Sequence, residues 1–254
     1  MRTTDDPSSL PKTTSNDWVY STEAMPSARF WTPFDPGFGK VLSTLSKYII
    51  ADTNVLEIGF APGKMLAWAA CRKKAVISGV DYSKSGVEIA KRYMKALGLH
   101  CDLRHENVFQ TTFEKNTFDV VYSVGVIEHF DHPKIIVQTH LDLAKIGGIV
   151  VMFVPNYGGL WGKIQKRLDP ENLDIHNTSI MTTEKMTELM KTLNCEIIDV
   201  SYAGSFSSSI LSLDRAMRPS MANFVHKLLN TVSTFLPFPI GRLAPQIVAV
   251  IKKS

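Results

Sequence analysis

The chain has 254 residues, 44% hydrophobic and 20% charged, enough for one sizeable α/β core with an appendage and too few for more than two small domains. A net charge of +4 from scattered Lys and Arg makes no basic face of the kind nucleic acid demands, and no nucleic-acid partner is expected. Cys71, Cys101 and Cys195 lack metal-like spacing and are odd in number, which argues against a disulfide framework and for a reducing compartment. No apolar run reaches the roughly 18 to 20 residues of a membrane span, so a soluble, cytoplasmic protein is expected. Residues 1–17 are rich in Ser, Thr, Pro and Asp, unlike a secretory or transit leader. They bury too little apolar surface to offset ordering, and predict a flexible tail. Over 18–40, Trp18, Tyr20, Phe30, Trp31, Phe34 and Phe38 arrive among prolines and glycines. That arm either covers a pocket or packs its aromatics onto the core.

From Val41 a regular alternation begins. "VLSTLSKYII" has helical spacing, "NVLEIGF" reads as a short buried strand, "MLAWAACR" as a helix and "AVISGVDYS" as a strand. "SGVEIAKRYMKALG" is an amphipathic helix closed by Gly98. "HCDLRHENV" and the continuous apolar "FDVVYSVGVI" read as strands, "PKIIVQTHLDLAKIGG" as a helix ending at Gly147-Gly148, and "IVVMFVPN" as a strand. After a glycine-containing connection with Trp161 come the helix "TTEKMTELMKTLN", the strand "CEIIDVSYAG" and a last strand, "PQIVAVIKK". This predicts a parallel sheet with helices on both faces. The core spans 41–204, an insertion 205–243, and the last core strand 244–254. In the insertion, apolar residues recur with helical spacing at Met221, Phe224, Val225, Leu228, Leu229, Val232 and Phe235. With Arg215, Arg218 and Lys227, this stripe suits a lid over an apolar substrate, a dimer contact or a membrane-surface helix over 210–236; a lid is the expectation.

The chemistry starts at "VLEIGFAPGK". Ligands of open α/β sheets bind beyond the carboxyl ends of the strands. Glycines there allow a sharp bend and close approach, while the following helix N-terminus offers free N–H donors. The run Gly59-Phe60-Ala61-Pro62-Gly63-Lys64 is neither the dinucleotide fingerprint nor a phosphate-binding P-loop, since Met65 follows Lys64. Glu57 would repel a pyrophosphate and suit a ligand with an ammonium or sulfonium charge. Asp81, at the tip of the next strand, either accepts both hydroxyls of a ribose or caps the helix that starts near Ser83. In "IEHFDH", Glu128, His129 and His132 fall at the carboxyl edge of the sheet. His129 is a candidate base for an acceptor hydroxyl, or a histidine that caps the next helix; His176 is the other candidate.

"VLEIGFAPGK", "GVDYS", "HENVF", "FDVVYSVGVIEHF" and "AKIGGIVVMFVPN", in this order and spacing, resemble the successive motifs of class I S-adenosylmethionine-dependent methyltransferases. The resemblance implies a Rossmann-like seven-stranded sheet, mostly parallel with an antiparallel last strand, and S-adenosyl-L-methionine as cofactor. By position, Glu57, Gly59, Phe60, Ala61 and Gly63 would surround the methionine part and Asp81, followed by Tyr82, the ribose. Asn107 and Val108 would lie by the adenine, and Ser123 and Val124 would offer backbone to the methionine end. Ala61 stands where a second glycine is usual, and Asn107 where an aspartate is common; the Asn107 carbonyl oxygen still suits the adenine amino group. The stretch around "VGVIEHFDHP" and "DIHNTSIMTTEKMTELM" is similar to ubiquinone-biosynthesis O-methyltransferases, in which an acid three residues before the Glu-His pair helps hold a metal. Here that residue is Gly125, so no metal is expected. The resulting expectation is methyl transfer to a small-molecule acceptor at oxygen, with His129 and His176 as catalytic candidates. The alternatives are a non-catalytic cofactor-binding protein serving a partner enzyme and, behind it, an RNA methyltransferase.

Overall fold

The computed structural model describes residues 38–204, 210–235 and 241–254. The tail expected over 1–17, all but the last residues of the aromatic arm over 18–40, and 205–209 and 236–240 of the insertion lie outside the described residues.

The first half follows the alternating pattern: α1 (Gly39–Leu45), β1 (Asn54–Ile58), α2 (Lys64–Lys73), β2 (Val76–Asp81), α3 (Lys84–Ala96), β3 (Cys101–His105) and β4 (Phe118–Val124). α3 starts where its sequence provides a cap, with the Ser83 hydroxyl accepting from the Gly86 N–H at 3.2 Å. Next come α4 (Pro133–Leu143), β5 (Ala144–Pro155), α5 (Leu160–Leu168), α6 (Pro170–Asp174), α7 (Thr183–Lys191), β6 (Cys195–Ala203), α8 (Leu213–Ala216), α9 (Pro219–Phe235) and β7 (Gln246–Lys253).

The seven strands form one sheet in the order β3-β2-β1-β4-β5-β7-β6. Only β7 runs antiparallel, to both its neighbours, as expected. Consecutive residues of β1 point to opposite faces. Leu56 and Ile58 join a core with α4, α5 and α7, whereas Val55 joins a second core with α1, α2 and α3. The order reverses at β1 and β4, and the crevice between their carboxyl ends is where such sheets bind ligands.

Two expectations are corrected. The helix predicted to run to Gly147-Gly148 stops at Leu143, and β5 begins at Ala144. The Lys253 ammonium donates to the carbonyls of Ala144 (3.0 Å) and Asp142 (3.4 Å), satisfying the helix end from a strand 109 residues away. Residues 145–148 bulge out of the ladder between the pairings of Phe118 with Ala144 and Val120 with Ile149. The connection after Asn156 is also more regular than expected, since it holds α5 and α6. Gly162 makes α5 fit: an added Cβ would lie 2.0 Å from the Tyr157 carbonyl oxygen. The Trp161 indole then donates to the Leu243 carbonyl at 2.8 Å, tying α5 to the chain just before β7.

Candidate active site

At the β1 end, Gly59 has φ +73°, a conformation other residues adopt only under strain, and a Cβ there would come 2.5 Å from the Val126 side chain. The glycine turn therefore lies directly against the turn that follows β4. Gly63 precedes α2 with φ +90° and sits against Ala90 of α3. Phe60 turns its ring inward, into the core with α2 and α3, so only its backbone faces the crevice. Ala61 is half-buried at the turn.

The two acids expected here are both buried. Glu57 accepts from the Tyr122 hydroxyl at 2.8 Å. Desolvation holds its carboxyl well above the ordinary range against that hydrogen bond, with the nearby Asp81 charge acting in the same direction. Asp81 accepts the Ser83 N–H at 2.8 Å on one oxygen and the Ala61 N–H at 2.9 Å on the other. The bond to Ser83 bears on the capping alternative, since Asp81 braces the start of α3, and the bond to Ala61 ties the glycine turn to the tip of β2. Burial raises its pKa, opposed by these N–H bonds. The carbonyl of Tyr82, the next residue, accepts from the His105 Nε2–H at 2.9 Å. Asn107 uses Oδ1 to cap the short turn over Val108–Gln110 through the Phe109 N–H, at 3.1 Å. A carbonyl oxygen has a second lone pair, which leaves an acceptor for an adenine amino group. The Ser123 side chain points away from the crevice to His140 Nε2 at 2.9 Å, and Val124 is half-buried.

Beyond Val124, Gly125 has φ +70° and opens a tight turn over Ile127–His129. Glu128 is 1% exposed, and its Oε2 has no hydrogen-bond partner among the described residues. Desolvation raises its carboxyl to about 8. His176 arrives from the loop after α6. Asn177 pins that loop to the turn: its N–H donates to the Glu128 carbonyl at 2.6 Å and its side-chain amide to the Phe130 carbonyl at 3.1 Å. The His129 and His176 rings lie 4.7 Å apart, and Tyr157 meets His176 edge-on at 5.2 Å. His129 Nδ1 donates to the Ile175 carbonyl at 3.3 Å, and His176 Nδ1 to the Asn172 carbonyl at 2.6 Å. One ligand atom from each of Glu128, His129 and His176 falls within 4.8 Å of the others.

The two histidines singled out in the sequence are therefore neighbours, and Glu128 is their third member. His132 stays at the start of α4. The expectation of no metal counted only two donors, Glu128 and His129; folding supplies a third. A one-turn sequence signal around residue 128 cannot show a partner 48 residues on.

Residues 56–152 match the family model described as a methyltransferase domain. A ubiquinone biosynthesis O-methyltransferase of Rhizobium leguminosarum bv. trifolii is 28% identical over 103 residues, 41% of this chain and 40% of that protein. The chain thus spans about two fifths of the length of the curated relatives it matches. Among solved structures, geranyl diphosphate C-methyltransferase from Streptomyces coelicolor A3(2), with Mg2+ and S-adenosyl-L-homocysteine, superposes with a TM-score of 0.60 at 15% identity, covering 84% of this chain and 78% of that one. Haemonchus contortus phosphoethanolamine N-methyltransferase 2, with S-adenosyl-L-methionine, gives 0.61 at 16%, covering 85% and 53%. The fold is that of the class I methyltransferases. Over residues 56–152 the chain is similar to methyltransferase domains, and its fold is shared with these solved methyltransferases.

Proposed function

We propose that this protein transfers the methyl group of S-adenosyl-L-methionine to an oxygen of a small-molecule acceptor. One observation carries the reading: the glycine turn before α2 and the Glu128–His129–His176 cluster meet across Val126, at the reversal of strand order. Methyl transfer from a sulfonium is an in-line displacement, so the protein must align two reactants and deal with the acceptor's proton. In this reading Glu57, Gly59, Phe60 (by its backbone), Ala61 and Gly63 hold the methionine part, Asp81 and Tyr82 the ribose, Asn107 and Val108 the adenine, and Ser123 and Val124 the methionine end. His129 and His176, beside Glu128, lower the cost of removing a proton from the acceptor hydroxyl. The solved neighbours named above are described as methylating carbon and nitrogen. Oxygen is favoured by the ubiquinone-biosynthesis relatives.

Isothermal titration with S-adenosylmethionine, its demethylated product, NAD and ATP tests the cofactor. The first two are expected to bind and the last two not. Mass spectrometry of a panel of phenols and other hydroxylated small molecules then tests transfer. Binding without turnover on any acceptor would favour the non-catalytic partner reading. Asp81→Ala should weaken cofactor binding by roughly 10- to 100-fold, since a hydrogen bond to a charged group contributes about 1.5–3 kcal/mol; unchanged affinity in a variant that melts like the parent would refute its place at the ribose.

A further inference from the structure

We propose that α9 is a docking face for an anionic lipid surface, with Met221, Phe224 and Leu228 as its apolar contacts and Arg218 and Lys227 as its headgroup contacts. Helical spacing brings the three apolar residues onto one side over two turns, and they are 55%, 66% and 51% exposed. Another side of the helix does the packing: Ala222 is buried, and Val225 lies against the core with α4, α5 and α7. α9 is therefore held by one face and presents a second, apolar one to solvent. The residues beside the stripe, Ser220, Asn223 and Thr231, are small, neutral and exposed.

Charge selects the occupant. From Pro219 to Phe235 there is no Asp or Glu, and over 210–235 the single acid, Asp214, stands against Arg215, Arg218 and Lys227. Arg215 lies 3.7 Å from Asp169; Arg218 and Lys227 are exposed and in no ion pair among the described residues. A second copy of this chain would bring the same cations to the stripe with no carboxylate on α9 to meet them, which opposes self-association through this face. Anionic headgroups satisfy the cations while the acyl boundary takes up the apolar side chains, and the long stems of Arg and Lys keep their charges at headgroup level. No helix among the described residues is long and apolar enough to cross a membrane, so α9 lies in the plane of the headgroups. The sheet itself has no need of this excursion. Ala203 and Gln246 are paired neighbours in the β6–β7 ladder, yet residues 204–245 lie between them. The excursion leaves and returns at the edge where β5 ends, since Gln246 also pairs with Pro155. There Tyr157, edge-on to His176, donates its hydroxyl to the Ile210 carbonyl. The segment that carries α9 is thus anchored at the end of the sheet that carries the crevice.

Docking is independent of the methyl-transfer reading and is read without turnover. Full-length protein is floated with vesicles of phosphatidylcholine alone and of phosphatidylcholine mixed with phosphatidylglycerol. It should rise with the mixed vesicles, stay behind with the neutral ones, and be released from the mixed ones by high salt. Phe224→Ser should weaken the association at least about tenfold. Arg218→Ser combined with Lys227→Ser should weaken it roughly 30-fold, from about fivefold per cation near a negative surface. Lys91→Ser combined with Lys95→Ser, an exposed pair of equal charge on α3, should leave it unchanged. Should Phe224→Ser melt below the parent, Leu228→Ser takes its place. Equal flotation with neutral vesicles, or flotation unchanged by the α9 variants, overturns the proposal. So does the absence of flotation, which would leave the face to a protein partner. Light scattering that finds a parent dimer lost in Phe224→Ser would also overturn it, and give the face to a second copy.

Discussion

Glu57 sets the character of the cofactor crevice. Its carboxyl is buried and held well above the ordinary range by desolvation, so it gains most from a cation beside it. Binding of a sulfonium ligand should therefore release protons. S-adenosylhomocysteine, whose sulfur is uncharged, should release fewer, and Glu57→Gln should abolish the difference. Calorimetry in two buffers of different ionisation enthalpy measures this. His140 makes a separate prediction. It is wholly buried, with Nδ1 donating to the Ile136 carbonyl at 2.7 Å, and desolvation lowers its pKa from 6.5 to about 4. The unfolded chain takes up this proton at a higher pH than the fold does. The contribution is complete above about pH 6.5 and is lost as pH falls through about 4, a change of about 3 kcal/mol across that window. Urea unfolding at stepped pH should show the slope, and His140→Gln should flatten it. At this scale the sequence was informative about residue type and silent about partners. Glu57, Asp81 and His129 could be singled out from position and chemistry. The pairing of Ser123 with His140 could not, because it joins a strand to a helix seventeen residues away.

Elements were legible wherever period and cap agreed. α3 has a Ser83 cap and an apolar stripe; α7 has Thr182, whose hydroxyl accepts the Lys185 N–H at 3.2 Å. Both starts were read to within a residue, and both ends were set two or three residues too late. The failures share one cause, partners remote in sequence. α4 ends at Leu143 because Lys253 reaches the carbonyls there, and the start of α5 was hidden because Gly158, which reads as a loop, allows close backbone contact with Met181. The α9 stripe is divided in the structure. Ala222 is buried and Val225 packs against the core, whereas Met221, Phe224 and Leu228 are mostly exposed. A single apolar face packed as a lid does not describe those three outward residues. Phe224→Ser should change folding stability by less than about 0.5 kcal/mol, while Ala222→Leu, which overfills a packed position, should cost about 1–3 kcal/mol. Paired urea denaturation curves would separate the two faces.

For the whole molecule, alternating hydrophobic periods were enough to specify a sheet with helices on both sides, and the ordered motifs were enough to specify its reversal point. Neither could place the Glu128 cluster. Its third member depends on Asn177 fastening a late loop to an early turn. The strand order has one more implication. β7 is read last yet lies between β5 and β6, so β6 has no ladder partner until some forty further residues have been added. On a ribosome, β6 must wait as an open edge, with the nucleotide-binding half already able to assemble behind it. Nascent chains arrested before Gln246 should be cut readily by protease within Cys195–Ala203 and resist cleavage over β1 to β4; chains released past Lys253 should be protected in both. Translation speed across the α8–α9 stretch would then govern how long a sticky seam stays open to chaperones.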